Sequence, residues 1–414
     1  SNYNLNSGIL NISKRVLNSS GSKTYDGTTT ASSNDIVLLN LAGNETLLQS
    51  GDATLSSANA SAYSISNLSG ISLSNGTGNT SNYTLEGGTH NFTVNRRVIN
   101  LGGGSRHYDG TTVAIAADLP TMTNLVGAET LSLSGNAVVV NPNVGADKSL
   151  VNLSGLTLVD GSNGGLASNY TLTGSSSKIS ITPRVLSSDG SKTYDGNTNV
   201  NASQLSLSNL VGSESLGLSG FGTVTSKNVG SSKTVTLNTL TLSDSTGSAS
   251  NYTLTGGTHT FDISRRTVTF SGARVYDGST VVSSSDLTTI SNLVTGESLG
   301  FSGSGSVSSK DVGSAKSITS GSLALTDANG LASNYTLGSG TFDISQKWAT
   351  ITGTRSYNGN VTVNSSDLTV SSLVSGESLN ITGSGSVSTA SVGNNKTISL
   401  GSLELQSTGS GTAS

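Results

Sequence analysis

The chain has 414 residues, of which 33% are hydrophobic and 11% charged, with 52 glycines, 3 prolines, no cysteine and a formal net charge of −4. Twenty basic against 24 acidic side chains leave no electrostatic footprint for nucleic acid. No apolar run reaches the length of a transmembrane helix, and the missing cysteines exclude thiol catalysis, iron–sulfur clusters and thiolate zinc sites.

The opening Ser1-Asn2-Tyr3-Asn4-Leu5 lacks the basic leader of a signal peptide, as expected of an internal fragment. From there the chain is organised by repetition. Tyr25-Asp26-Gly27, Tyr108-Asp109-Gly110, Tyr194-Asp195-Gly196, Tyr276-Asp277-Gly278 and the variant Tyr357-Asn358-Gly359 place successive tyrosines 83, 86, 82 and 81 residues apart. A glutamate follows in phase at Glu45, Glu129, Glu214, Glu297 and Glu377. A Val-Gly pair comes next at Val144, Val229, Val312 and Val392, always 15 residues after the glutamate; Ala60 and Ser61 replace it in the first copy. Ser-Asn-Tyr-Thr-Leu then recurs at Ser81–Leu85, Ser168–Leu172, Ser250–Leu254 and Ser333–Leu337, and Arg15, Arg97, Arg184, Arg266 and Lys347 mark the junctions. The expected domains are residues 1–13, closing hairpin of a preceding repeat; then repeats at 14–95, 96–182, 183–264 and 265–345; and 346–414, a fifth repeat cut before its last hairpin.

Within a repeat the elements read as strands. Ser283–Leu287, just after an anchor, is the best short helical turn. Leu131 and Leu133 alternate with serines, as do Leu299 and Phe301 with Gly300 and Ser302, so each run buries one face. Val235–Leu242 and Ile318–Leu325 slip phase once, which calls for a bulge or tight turn. The second repeat owes extra length to a loop tip at Asp160–Gly165. Tyr252–Ile263 reads as a hairpin turning near Gly256-Gly257. Junctions such as Ile263–Val268 hold no linker, which favours a stiff array over loose beads. The expected fold is all-β: a tandem array of small β-sandwich-like modules of about 80 residues forming an elongated rod, the alternative being β-grasp-like modules with one short helix.

Tyr-Asp-Gly, Gly-x-Glu-x-Leu, Lys-Asn/Asp-Val-Gly-x-x-Lys (Lys227–Lys233 and Lys310–Lys316) and Asn-Tyr-Thr-Leu, in that order, resemble the YDG-type repeat of large bacterial adhesins, related to the MBG repeats of filamentous-haemagglutinin-like exoproteins. The resemblance covers nearly the whole chain; the first repeat departs at its Val-Gly element and the fifth at Asn358. It implies an extracellular, bacterial cell-surface location and names no ligand.

The anchors read as structural: glycine for positive φ, aspartate capping a turn, tyrosine a buried ring with a polar tip. Asp26 and Glu45 have counterparts in later repeats, whereas a catalytic pair exists once per site. Calcium needs six to eight oxygen ligands and no Asp-rich loop supplies them, so no metal, cofactor or catalytic residue is expected. His90, His259 and His107 read as exposed turn residues, and Trp348 as core. An isopeptide bond such as one involving Lys192 and Glu214 has no sequence test. The expected function is a structural stalk projecting a distal binding region for cell adhesion or biofilm formation; the alternative is multivalent binding of matrix polysaccharide or neighbouring cells by the repeats. Head-to-tail self-association by strand addition is a further expected partnership, between the closing segment at residues 1–13 and the incomplete fifth repeat.

Overall fold

The computed structural model describes residues 1–65, 68–408 and 411–412; Ala413 and Ser414, assigned to the end of the fifth repeat, lie outside them. Among the described residues strand accounts for 49% and no helix reaches seven residues. Serine and threonine on every second position, opposite Val, Ile, Leu and Phe, give each strand one solvated and one buried face.

The fourth repeat shows the plan. Its opening strand, Arg266–Val275, and its closing strand, Tyr335–Ser345, lie side by side and parallel, from Arg266 opposite Tyr335 to Val275 opposite Ser345. Leu287–Ser291 pairs antiparallel outside the opening strand, while Gly313–Thr319, Ser304–Val307 and Val281–Ser283 continue the sheet beyond the closing strand. Leu299–Ser302 pairs with Ala324–Asp327 in a separate two-stranded sheet. Gly303, at φ +79°, lies between Leu299–Ser302 and Ser304–Val307, so one run of chain leaves one sheet for the other at a residue free of the Cβ penalty. Phe270, Val282, Leu287, Val307, Leu323, Phe342 and Ile344 form the interior, with Phe301 and Leu337 packed against it.

Several sequence expectations meet this plan directly. The phase slips are absorbed by tight turns: Leu240 N donates to Leu237 O at 2.8 Å, and Leu323 N to Ser320 O at 2.8 Å. Ser284–Asp286 is a 3-10 turn, as are the eight other helical turns among the described residues, each of three residues; none covers a sheet, which leaves the β-grasp alternative without its helix.

The hairpin expected at Tyr252–Ile263 is not one. Tyr252–Thr253 and Thr260–Ser264 do not pair with each other; each runs parallel to part of the strand that opens the repeat. Period-two alternation reports strand but not direction, and Gly256-Gly257 lies between two segments that each pair separately. In the fourth repeat the same segment is one strand with a bulge, its register shifting between Val268 and Phe270. Residues 1–13 likewise form no strand and are exposed throughout. Equivalent segments in repeats one to four pair with the opening strand of their own repeat.

Compact packing does not follow the repeats. One unit comprises Ser1–Ser187, Leu207–Ser219 and Thr241–Thr258; the other comprises Ser188–Ser206, Gly220–Leu240 and His259–Ser414. The third repeat is therefore divided between them. In the first unit the interior also ignores the repeat boundary: Tyr25, Ile36, Leu55, Phe92 and Val94 of the first repeat form one buried cluster with Ile99 and Tyr170 of the second. The interiors of neighbouring repeats are thus not self-contained.

Phe342 is fully buried in the fourth-repeat interior. Phe342→Ala is expected to destabilise the second unit by about 3–5 kcal/mol, read from the urea midpoint of the corresponding transition.

Candidate functional site: a tyrosine–glutamate clasp between repeats

The recurring tyrosines, glutamates and asparagines come together between consecutive repeats, not within one. Tyr25 Oη donates to Glu129 Oε1 of the next repeat at 2.7 Å, and Tyr170, from that next repeat's Asn-Tyr-Thr-Leu, donates to the other carboxylate oxygen at 2.7 Å. The same arrangement joins Tyr108 and Tyr252 to Glu214 at 2.7 and 2.7 Å, and Tyr194 and Tyr335 to Glu297 at 2.6 and 2.6 Å. In each pair the rings meet edge to face, with centroids 5.3–5.4 Å apart, a geometry that adds about 0.5–1.5 kcal/mol beyond burial. At the fourth boundary Tyr276 donates to Glu377.

The backbone around the clasp explains the motif. Gly27, Gly110, Gly196 and Gly278 have φ between +76° and +81°. A Cβ on them would lie 3.0, 2.8, 2.6 and 2.9 Å from a methyl of Val126, Val211, Val294 and Val374 of the following repeat. Glycine is needed here both for the left-handed turn and for the approach of the neighbour. Asp26 caps the turn, accepting from Thr28 N at 2.9 Å and pairing with Lys23 Nζ at 2.9 Å. Tyr357 is 69% exposed, and nothing lies near a Cβ on Gly359.

A second contact accompanies the first. The asparagine before each closing tyrosine is buried against the preceding repeat. Asn169 Oδ1 accepts from Ala60 N at 2.8 Å while its amide donates to Asn59 Oδ1 at 3.1 Å. Asn251 does the same with Val144 N and Asn143, and Asn334 with Val229 N and Asn228. The donor is a backbone N–H, so the first repeat keeps the contact although Ala60-Ser61 replaces Val-Gly. Junction arginines finish the boundary: Arg97 Nη1 donates to Tyr25 O at 3.3 Å and Arg266 Nη1 to Tyr194 O at 3.5 Å. Spacing showed that these residues recur in phase but not that they belong to different repeats; only their separation of roughly a repeat and a quarter, folded back, pairs them.

Two boundaries carry an added cation. Lys227 Nζ lies 3.1 Å from Glu297 Oε1 and Lys310 Nζ 2.8 Å from Glu377 Oε1, whereas Pro142 occupies the equivalent position of the second repeat. Burial opposes ionisation of Glu297, yet hydrogen bonds from Tyr194, Tyr335 and Lys227 hold its carboxyl below the usual value. The hydrogen bond from Lys310, then that from Tyr276, does so for Glu377. Burial, then the glutamate, pushes Tyr25, Tyr108, Tyr170 and Tyr335 up to about 12.

Other candidates differ from expectation. His90 and His259 are buried, not exposed in turns: His90 Nε2–H donates to Leu85 O at 2.8 Å, leaving Nδ1 to accept from Ser19 Oγ at 3.0 Å, and His259 Nδ1 lies 2.9 Å from Ser188 Oγ. Each stands opposite its serine across the parallel strands. His107 is exposed. Trp348 is 90% exposed rather than core; Val16 and Thr267, at the same position of the first and fourth repeats, are exposed as well. Lys192 is taken by Asp195, Asn197 and Asn199, and Glu214 by its two tyrosines, so each is engaged outside the Lys192–Glu214 pairing. Among the described residues no group of three or more His, Asp or Glu side chains is placed to hold a metal ion.

Five segments of the chain, residues 12–90, 95–179, 176–260, 263–342 and 345–413, match the YDG domain. No curated protein matches the chain.

Tyr335→Phe removes one charge-assisted hydrogen bond from Glu297 and is expected to cost about 1.5–3 kcal/mol, read by chemical denaturation. Gly196→Ala, strained and in collision with Val294, is expected to destabilise at least as much. A double-mutant cycle of Tyr194→Phe with Tyr335→Phe should show coupling, since both serve one carboxylate. Because tyrosines such as Tyr25 and Tyr335 are raised from 10.0 to about 12, their stabilisation is complete below pH 10 and is lost as pH rises toward 12. The lowered Glu297 and Glu377 act oppositely: their stabilisation is present above the ordinary carboxyl value of 4.5 and is lost as pH falls through the folded value. Thermal melts across pH should therefore fall off at both ends.

Proposed function

The chain belongs to the YDG domain family, and from that premise we propose that it is a non-enzymatic structural segment of a secreted bacterial surface adhesin, holding a distal binding region away from the cell for adhesion or biofilm formation. Tandem YDG repeats fit a repeat-containing structural or binding protein; the spacer reading is the narrower one. The observation that carries it is the clasp. The most heavily shared side chains in each repeat serve the neighbouring repeat, and each of Glu129, Glu214 and Glu297 has both carboxylate oxygens occupied by tyrosine hydroxyls. Such a carboxylate is engaged on both oxygens by side chains of two consecutive repeats, an arrangement suited to resisting separation of one repeat from the next. The family's resemblance to adhesin repeats supports the cell-surface setting.

Binding of polysaccharide by the repeats is the competing reading, favoured by exposed hydroxyl rows such as Ser215 with Thr246 and Ser219 with Thr241. Glycan-array binding by the isolated chain separates the two. The spacer reading expects no saturable binding, and a saturable glycan ligand would overturn it. Under load, single-molecule pulling should give events longer than one repeat in the parent chain, and shorter, weaker events once Glu129, Glu214 and Glu297 are all replaced by alanine.

A further inference from the structure

Asparagine followed by glycine occurs four times in the chain, at Asn75, Asn163, Asn329 and Asn358. In this dipeptide the glycine nitrogen can reach the asparagine side chain with no Cβ in its way. The four side chains are held in different ways.

Asn75 ends the strand Ile71–Asn75, and both it and Gly76 are exposed. Its Oδ1 accepts from Thr80 N at 2.9 Å and from Thr80 Oγ1 at 3.0 Å. Among the described residues no hydrogen bond engages its Nδ2 or the Gly76 N–H. The amide carbonyl is therefore polarised at oxygen, while the nitrogen that would leave and the nitrogen that would attack are both unencumbered. Asn329 is held in the opposite way. Its Nδ2 donates to Gly296 O at 2.9 Å, its Oδ1 accepts from Ser298 Oγ at 2.9 Å, and Gly330 N is tied to Ser298 O at 3.1 Å. Asn163 Nδ2 donates to Ala128 O at 3.0 Å. Asn358 Oδ1 has one donor, Asn360 N at 3.0 Å.

The fold already accommodates a carboxylate in the place of Asn75. Thr80 opens the 3-10 turn Thr80–Asn82, which leads into Tyr83, whose hydroxyl donates to Glu45. In repeats two, three and four the equivalent turn is capped by aspartate: Asp160 accepts from Ala167 N at 2.7 Å, Asp244 from Ala249 N at 2.6 Å and Asp327 from Ala332 N at 2.6 Å. The first repeat carries the amide where these three carry the acid.

We propose that Asn75 is a self-modification site, at which the folded chain converts this asparagine to aspartate. Gly76 N loses its proton to water and bonds to Asn75 Cγ. The charge that develops on Oδ1 falls against the two Thr80 donors. The Cγ–Nδ2 bond then breaks, Nδ2 takes up a proton and leaves as ammonia, and a cyclic imide remains. Water adds at Cγ, which Thr80 still polarises, the bond from Cγ to Gly76 N breaks, and that nitrogen regains its proton. One water is consumed and one ammonia released, with no oxidation or reduction. Addition at the main-chain carbonyl instead would give β-linked aspartate and lengthen the backbone at the strand end. The product at Cγ keeps the backbone as it was, and a charge-assisted hydrogen bond from Thr80 N replaces a neutral one.

The full chain, folded and in urea, is incubated at mildly alkaline pH in water enriched in heavy oxygen, then cut with a protease that cleaves before α-linked aspartate and read by mass spectrometry. In the folded chain Asn75 is expected to convert first, gaining one heavy oxygen and a new cleavage before residue 75. Asn163 and Asn329 should lag it roughly tenfold or more, and in urea the sites should converge. Thr80→Val removes the hydroxyl donor and keeps the backbone donor; it should slow the folded reaction at Asn75 about tenfold and leave the rate in urea unchanged. Thr80→Ser, which retains a hydroxyl, should keep the parent rate. Asn75→Asp should show the parent's circular dichroism and melt no lower at neutral pH. Conversion of Asn163 or Asn329 ahead of Asn75 in the folded chain, an unchanged rate in Thr80→Val, an excess of β-linked product, or an Asn75→Asp chain that melts below the parent would each overturn the proposal.

Discussion

One carboxylate shared by two tyrosines from different parts of the chain governs how this protein is put together. Each full clasp takes its first tyrosine from one repeat, and its glutamate and second tyrosine from the next. A partly buried carboxylate is costly unless its oxygens are satisfied, and two hydroxyls in edge-to-face rings satisfy both while excluding water. The interaction therefore holds the Glu-bearing turn and the closing tyrosine of one repeat against the anchor turn of the repeat before it. Glycine in Tyr-Asp-Gly is the steric condition for this, since any side chain there meets a valine of the neighbour.

The division of the third repeat follows from the same cause. Glu214, Asn251 and Tyr252 pack with the first unit, where their partners Tyr108 and Asn143 lie, while Tyr194 packs with the second, where Glu297 and Tyr335 lie. A repeat is a unit of sequence and of strand pairing, but its recurring tyrosine and asparagine contacts are made across the boundary. This differs from a chain of independent modules and agrees with the nearest-neighbour energetics of repeat proteins, in which interface terms rival intrinsic ones. It also compensates for the thin interior of a module this small with no disulfide to brace it.

Variation among the repeats follows local physical rules. Lysine joins the clasp at Glu297 and Glu377, and proline stands in its place one repeat earlier. Ser19 with His90 and Ser188 with His259 fill the same register position that Phe270 with Gly340 fills by shape. Polar pairing with a longer loop, or a ring over a glycine with a shorter one, are two solutions to one packing problem. Trp348 stands where other repeats carry a half-buried or exposed valine or threonine.

The sequence by itself determined the period, the all-β character, the phase-absorbing turns after Leu237 and Ser320, and the 3-10 turn at Ser284–Asp286, because alternation, glycine and capping chemistry act over a few residues. Three things only the tertiary structure decided. Tyr252–Ile263 runs on beside the opening strand instead of folding back, since strand periodicity carries no direction. His90 and His259 are interior, since their burial depends on a serine some seventy residues away. The anchor tyrosines reach the glutamate of the next repeat and not their own, since pairing at such separations is set by how the sheets bring distant turns together and leaves no local trace in the chain.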